Sequence, residues 1–260
     1  MSRQFLKRLH KGAPEGYCRI CGEYAKLSSD HFPPKCTGNK NVTWLSTYSG
    51  DKIQCQKGVT FKTICIKCNN TLGHEYDTEL AKIYKDLNQA HSSKVISPVV
   101  ITINTDKLLK SLTGHLLSLV FYSDNISTKL AKPLEDDIDT FKRLRDFYQN
   151  SNKLIDFDIF YWFHNGKYNQ ISYFTTLAKF PQFHNKITGH ILKFNFMAFL
   201  FLDKTMSTIL PSLERIDIEK ETNVLNFNLS TPPSADLFNI PDSDEILLFN
   251  NHRSFHQFKV

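Results

Sequence analysis

Four cysteines in two closely spaced pairs are the residues of this chain best suited to bind a metal ion. Cys18 and Cys21 form one Cys-x-x-Cys pair, Cys65 and Cys68 form the other, and 43 residues separate the pairs. Each pair places two sulfurs on one tight turn, and two such turns complete the tetrahedron that structural zinc prefers. Two disulfides or a coincidence of buried cysteines are the alternatives. The N-terminus lacks a signal-peptide pattern, which favours reduced cysteines and a structural Zn²⁺.

An aspartate and a histidine stand side by side between the two cysteine pairs. Asp30 and His31 are followed closely by Pro33-Pro34, which stiffens the chain that leaves them. Asn69 directly follows the second pair and is expected at the start of a helix, with His74 further along it. Zinc would hold the Asp30-His31 segment against this helix start. One carboxylate with an amide or imidazole suits a hard divalent cation whose other ligands are water and phosphate.

The order of these motifs resembles the HNH endonuclease superfamily, whose catalytic module has the ββα-metal fold. The motifs are Cys-x-x-Cys, then Asp-His-x-Pro-Pro-Lys, then Cys-x-x-Cys-Asn-Asn-x-Leu-Gly-x-x-x-Asp. The chain is most similar to the zinc-stapled branch, in which the last motif residue is Asn rather than His. The resemblance covers roughly residues 15 to 80, which is less than a third of the chain.

The resemblance implies a role for each residue of the site. His31 would be the general base that activates water for attack on a phosphodiester, and Asp30 would ligate Mg²⁺ or another divalent cation beside it. Asn69 would be the second protein ligand of that cation. His74 has two readings, a metal ligand or phosphate contact and a surface histidine. The expected catalytic residues are therefore His31, Asp30, Asn69 and His74.

The sequence departs from the family pattern at the central Asn, which is expected on the strand before the second cysteine pair. The segment from Gln56 to Phe61 contains no Asn, and the nearest candidates, Asn39 and Asn41, come early. That Asn usually orients the base. Its absence supports the alternative that the chain is a non-catalytic, zinc-dependent nucleic-acid-binding protein with a degenerate HNH site.

The positive charge of the chain is concentrated in its first part. Residues 1 to 95 contain 15 Lys and Arg against 8 Asp and Glu, whereas residues 96 to 260 contain 17 against 18. Basic side chains gain by displacing counterions from phosphates, so DNA is the expected partner and RNA stays open. A lysine-rich solvated surface is the alternative. The lysines expected to contact nucleic acid are Lys35, Lys40, Lys57, Lys62 and Lys67.

The sequence contains no apolar run long enough to span a membrane, and the cytoplasm is the expected location. Hydrophobic residues make up 41% of the 260 residues, and the most apolar run, 191–202, is too short to span a bilayer and contains Lys193 and Asn195. All six cysteines precede residue 69. Cys36 and Cys55 have no zinc-site spacing and are expected to be spare thiols.

Periodicity predicts two structural units with a boundary near residues 97 and 98. In the first unit we expect a strand over 59–64 and a helix over 69–88. In the second unit His115 and His190 lie on apolar elements and are expected to be structural, and Asn165-Gly166 is a hairpin signal. The other predictions there are helices over 105–122 and 133–148, strands over 99–103, 155–162, 171–177, 191–202, 224–229 and 245–249, and a polar tail or interface over 251–256.

The sequence thus predicts an α+β protein. A zinc-stapled ββα-metal module over residues 1–97, including a basic N-terminal helix, precedes an α+β domain over 98–260 with an antiparallel sheet. The expected activity is metal-dependent hydrolysis of DNA phosphodiesters, and analogy with the family suggests restriction or phage defence. Homodimer formation, and an activator or partner acting through residues 98–260, remain open, as does the choice between nicking and double-strand cleavage.

Overall fold

The computed structural model describes residues 14–39, 43–47, 52–55, 59–94, 97–119, 135–150, 154, 156–164, 170–177, 186–204, 213–230, 245–250 and 254–259. Over these ranges the chain has a mixed α/β structure with antiparallel sheets and few helices. This agrees with the α+β class that the sequence predicts. The predicted N-terminal basic helix lies outside the described residues.

A small antiparallel sheet carries both cysteine pairs. It consists of β1 (Glu15–Tyr17), β2 (Tyr24–Phe32) and β5 (Val59–Cys65), in the order β1-β2-β5. The alternating β-branched and aromatic residues of β5 predict a strand, and the expected strand over 59–64 is confirmed. The strand order brings the turn after β1 close to the end of β5.

The helix that follows β5 runs in three continuous pieces. α1 (Ile66–Thr71) passes through a π-helical turn (Leu72–Tyr76) into α2 (Asp77–Ser92). Leu80, Ile83 and Leu87 recur at helical spacing and are fully buried, as a helix with one apolar face requires. The predicted helix over 69–88 is confirmed, and it starts directly after Cys65.

A larger sheet contains nine strands and joins the two parts of the chain. The excursion between β2 and β5 contributes two of its strands, β3 (Thr43–Thr47) and β4 (Lys52–Cys55). The second part contributes β7 (Phe157–Phe163), β8 (Gln170–Leu177), β9 (Lys186–Phe194), β10 (Met197–Asp203), β11 (Glu214–Ile216), β13 (Glu245–Asn250) and β14 (Ser254–Lys259). The spatial order is β11-β7-β10-β9-β8-β13-β14-β3-β4.

The remaining elements are one strand pair and two helices. β6 (Val99–Asn104) pairs with β12 (Thr222–Phe227), and α3 (Thr105–Leu119) and α4 (Glu135–Asn150) are the helices. These strands and helices lie where the sequence predicts them to within a few residues. Residues 120–122 of the predicted first helix and Pro133 lie outside the described residues.

Three predictions about the large sheet are wrong. The apolar run 191–202 is two strands, because the chain reverses at Asn195 and Phe196, where Phe196 has φ of +68°. A hairpin at Asn165-Gly166 would pair β7 with β8. Instead, β7 pairs with β10 and β11, whereas β8 pairs with β9 and β13. The predicted tail contains β14, which pairs with β13. The antiparallel sheet that the sequence predicts is present, with one parallel pair, β13 and β8.

Helices α3 and α4 pack directly on the cysteine-bearing part of the chain. A Cβ atom at Gly114 would lie 2.6 Å from Leu72 Cδ1 and 3.0 Å from Tyr148 Cε2, so glycine is needed for this close approach of α3. On α4, Arg145 Nε donates to the carbonyl oxygen of Arg19 at 3.1 Å, and Gln149 Nε2 donates to that of Ile20 at 2.7 Å. The division at residues 97 and 98 stays a prediction, and these contacts cross it.

The segment after His31 is held by the turn between β9 and β10. Asn195 Nδ2 donates to the carbonyl oxygens of Thr37 at 2.8 Å and Gly38 at 3.2 Å. Gly38 ends the 3₁₀ turn Lys35–Thr37 with φ of +85°, in the left-handed region that favours glycine. A Cβ atom there would clash with Tyr84 Oη.

We predict that Gly38→Ala lowers the free energy of unfolding by about 1–3 kcal/mol, because alanine adds left-handed backbone strain and a clash with Tyr84. Gly73→Ala is the matched control, since a Cβ atom there meets nothing within 4 Å. The control should be neutral or stabilising by up to about 1 kcal/mol. Urea denaturation measures both, and equal stability of the two variants would contradict the role of Gly38.

Candidate metal centre and the adjoining Asp30-His31 segment

The four predicted zinc ligands lie together at one end of the small sheet. Cys18 and Cys21 occupy the turn between β1 and β2, Cys65 ends β5, and Cys68 lies in the first turn of α1. Their four sulfur atoms are all within 4.8 Å of one another. Cys21 Sγ and Cys65 Sγ are 4.0 Å apart, about twice the length of a disulfide bond, and these cysteines are free thiols.

Backbone N–H groups donate hydrogen bonds to the sulfurs, as a thiolate site requires. Cys18 Sγ accepts from the backbone nitrogens of Cys65 at 3.2 Å and Cys21 at 3.5 Å, and Cys65 Sγ accepts from that of Cys68 at 3.4 Å. The Cys68 thiol, more strongly than these backbone groups, lowers the pKa of Cys18 to about 4, against the opposing effect of burial. Cys18, Cys65 and Cys68 are buried, so the site is closed to water on most sides.

The sulfur-only donor set, its size and its hydrogen bonds fit a structural zinc ion. The four cysteines can therefore bind a metal ion such as Zn²⁺. Cys36 lies outside this group, and burial raises the pKa of its thiol, so it remains protonated. Among the described side chains, no other group of three or more His, Cys, Asp and Glu is close enough to share a metal ion. The side chain of Cys55 lies outside the described residues.

Asp30 is a buried carboxylate whose two oxygens both accept hydrogen bonds. Its side chain is on the end of β2, and the residue is 5% exposed. Oδ1 accepts from the backbone nitrogen of His31 at 2.9 Å, and Oδ2 accepts from Ser118 Oγ at 2.7 Å. Burial raises the pKa of Asp30, while His115 and Ser118 act in the opposite direction.

His31 lies next to Asp30 but on the other face of β2, because side chains alternate along a strand. Its side chain is half-buried. Burial lowers the pKa of His31, and the nearby positive charge of Lys35 lowers it further. The imidazole is therefore neutral at pH 7, the form that can accept a proton from water.

Asn69 is fixed against the same strand. Its Nδ2 donates to Ser28 Oγ at 2.8 Å, and Ser28 lies two residues before Asp30 on β2, with an irregularity of the strand register between them. The fold thus brings α1 and β2 together beside the cysteine group, as the sequence predicts. His74 is exposed on the π-helical turn, as expected for a surface histidine.

The structure describes the side chains of three of the five lysines that are predicted to contact nucleic acid. Lys35 and Lys67 are exposed, and Lys62 is half-buried on β5. The side chains of Lys40 and Lys57 lie outside the described residues. Lys35 is near enough to His31 for its charge to act on the imidazole, and Lys67 lies two residues before Asn69. Exposed positive charge therefore lies beside His31 and, separately, in the first turn of α1 that bears Asn69.

Sequence reasoning missed the group that buries Asp30. Asp77 is 12% exposed in its side chain rather than solvated, and its Oδ1 lies 3.0 Å from His115 Nε2. Ser111 Oγ donates to the same oxygen at 2.6 Å. On α3, Ser118 and His115 lie next to Asp30, and His115 and Ser111 connect α3 to Asp77 of α2. His115 is a buried structural group, as predicted, but its partners lie far away in sequence and no local motif identifies them.

Comparison with protein-family models, with curated proteins and with solved structures finds no match in any of the three. Among the helices described, none is both long and apolar enough to cross a membrane. The assignment to the HNH superfamily and the cytoplasmic location therefore stay predictions.

We predict that Cys68→Ser abolishes binding of the structural zinc ion and unfolds the cysteine-bearing end of the chain, because zinc supplies much of the folding free energy of such sites. Elemental analysis should give about one zinc per wild-type chain and far less for the variant. Cys36→Ser is the matched control, since this thiol lies outside the group, and it should keep the zinc. Full zinc content in Cys68→Ser would contradict the ligand assignment.

We predict a pKa for His31 below the ordinary value of 6.5 in zinc-loaded protein without other added divalent cations, since burial and Lys35 both oppose protonation. NMR titration of the imidazole measures it. Lys35→Met should raise this pKa by removing a positive charge, whereas Lys67→Met should leave it unchanged. A His31 pKa above 6.5 in the wild type would contradict the proposed effects of burial and of Lys35 on the imidazole.

Proposed function

We propose that the chain is a metal-dependent endonuclease of HNH type that hydrolyses phosphodiester bonds in DNA. One observation carries the proposal: the cysteine group brings the turn between β1 and β2 to the start of α1, and Asn69 of α1 contacts Ser28 on β2, the strand that contains Asp30 and His31. This is the juxtaposition that the family resemblance requires.

His31 is the general base in this proposal. Its neutral imidazole accepts a proton from water as the water oxygen forms a bond to phosphorus and the phosphorus–oxygen ester bond breaks. The half-buried position of His31 restricts its orientation. Lys35, which acts on His31, and Lys67, in the first turn of α1, are exposed and supply positive charge for neighbouring phosphates.

Asp30 and Asn69 would hold a divalent cation such as Mg²⁺. When bound, such a cation stabilises the charge that develops on the phosphate and on the leaving oxygen. Each oxygen of Asp30 accepts one described hydrogen bond, and a carboxylate oxygen can accept two. Asn69 donates through Nδ2, which leaves its Oδ1 for a cation.

One observation favours the second candidate, a non-catalytic zinc module that binds nucleic acid. Asp30 is 5% exposed and is engaged by Ser118 and the His31 backbone, as a purely structural carboxylate would be. The missing central Asn points the same way. Binding of DNA or RNA without cleavage would support this candidate.

The test is cleavage of supercoiled plasmid by zinc-loaded wild type, His31→Ala and His91→Ala, each with no added cation, with Mg²⁺ and with Mn²⁺. His91→Ala is the matched control, because this histidine is exposed in the last turn of α2, where its ring packs on Phe196. We expect nicked or linear product from wild type and control with added cation, and a loss of at least about 100-fold in His31→Ala.

Intact plasmid in every wild-type lane would overturn the endonuclease proposal. Fluorescence anisotropy with labelled DNA and RNA at low salt would then decide between the binding module and a chain with no affinity for nucleic acid. Equal cleavage by His31→Ala and wild type would overturn the assignment of the base.

A further inference from the structure

The C-terminal end of α3 meets both long strands of the small sheet at one residue. Ser118 Oγ donates to Asp30 Oδ2 on β2 at 2.7 Å. The carbonyl oxygen of Ser118 accepts from Thr63 Oγ1 on β5, also at 2.7 Å. Ser118 is fully buried, and its partners precede it by 88 and 55 residues. A helix of the second part of the chain is thus attached to the strand that carries Asp30 and His31.

The Asp30 carboxylate transmits this attachment to the backbone of His31. Its other oxygen accepts the His31 backbone N–H at 2.9 Å. A carboxylate bonded through both oxygens in a buried site is restricted to one orientation, because rotation would break both hydrogen bonds. The position of the His31 backbone, from which the imidazole projects, therefore depends on the hydroxyl of Ser118.

His115 lies next to the same carboxylate. Its Nδ1 lies 4.0 Å from Asp30 Oδ2, and its Nε2 lies 3.0 Å from Asp77 Oδ1. Ser111 holds Asp77, and the Phe194 ring packs against the imidazole with its centroid 6.0 Å away. With 1% of its surface exposed, His115 cannot reach a substrate, so its contribution is to position other residues.

We propose that Ser118 is a positioning residue for the cleavage site: it fixes Asp30 and, through Asp30, the backbone of His31, with His115 next to the same carboxylate. The second part of the chain then contributes directly to the geometry of the site. The catalytic meaning of this inference rests on the proposed function, whereas the positioning itself can be measured without it.

The experiment compares Ser118→Ala with Thr63→Val in the full, zinc-loaded chain. Thr63→Val removes the bond to the Ser118 carbonyl oxygen, whereas Ser118→Ala removes the bond to Asp30 and a longer one, at 3.1 Å, to the carbonyl oxygen of His115 in the same helix. In plasmid or oligonucleotide cleavage with Mg²⁺, Ser118→Ala should lower kcat by about 10- to 100-fold with KM changed less than about threefold, because misplacement of a catalytic group acts on the chemical step. Thr63→Val should leave both constants near their wild-type values.

Amide hydrogen exchange gives a readout that does not require cleavage. The His31 amide should exchange at least about tenfold faster in Ser118→Ala than in wild type, because Asp30 loses its bond to α3, with the Leu112 amide in α3 unchanged, because alanine keeps the backbone of the helix. Thr63→Val should not alter exchange at His31. Should Ser118→Ala fail to bind zinc and fold, His115→Gln replaces it, with faster exchange at His31 again expected.

Unchanged exchange at His31, or equal losses of kcat in Ser118→Ala and Thr63→Val, would overturn the positioning role. A wild type that cleaves nothing would overturn the proposed function alone. The exchange comparison would still decide the positioning inference in that case.

Discussion

The structure depends on the meeting of four sulfur atoms that come from two places 43 residues apart. The turn after β1 and the junction of β5 with α1 converge within 4.8 Å, and backbone N–H groups of the second pair point at the sulfurs. This junction sets the angle at which α1 leaves the sheet. Asn69 thereby lies against Ser28 of β2, the strand that contains Asp30 and His31.

A second constraint is the burial of the Asp30 charge. An isolated carboxylate in an apolar interior is costly, and here hydrogen-bond donors from β2 and α3, with an imidazole nearby, offset that cost. Two of these three groups come from residues after the predicted boundary at 97. The catalytic and the non-catalytic readings of the chain both need this group, because it fixes the segment in either case.

Local patterns were sufficient to predict most elements and the zinc ligands. The Cys-x-x-Cys spacing, the alternation over β5 and the helical spacing of Leu80, Ile83 and Leu87 each follow from adjacent residues, and the structure agrees. The failures are of a different kind. The reversal at Asn195 and Phe196 has no glycine or proline to mark it, so one apolar run appeared to be one strand.

The partners of Asp30 and Asp77 depend on which helices and strands pack together, and local sequence patterns do not specify this. A lone serine or histidine on an apolar helix carries no signal of its distant contact. The parallel pairing of β13 with β8 and the pairing of β14 with β3 are likewise set by sheet assembly rather than by local propensity. The residues of the candidate site could therefore be identified from the sequence, whereas the distant residues that contact them could not.

The separation of 88 residues between Asp30 and Ser118 has a consequence for synthesis. On the ribosome all four cysteines are available once residue 68 has emerged, so zinc can bind while α3 is still being made. During that interval Asp30 lacks its Ser118 partner, and Leu72 lacks the surface of α3 around Gly114. The nascent chain can therefore bind the metal ion before the site is complete, and the Asp30-His31 segment acquires its final hydrogen bonds only when α3 docks.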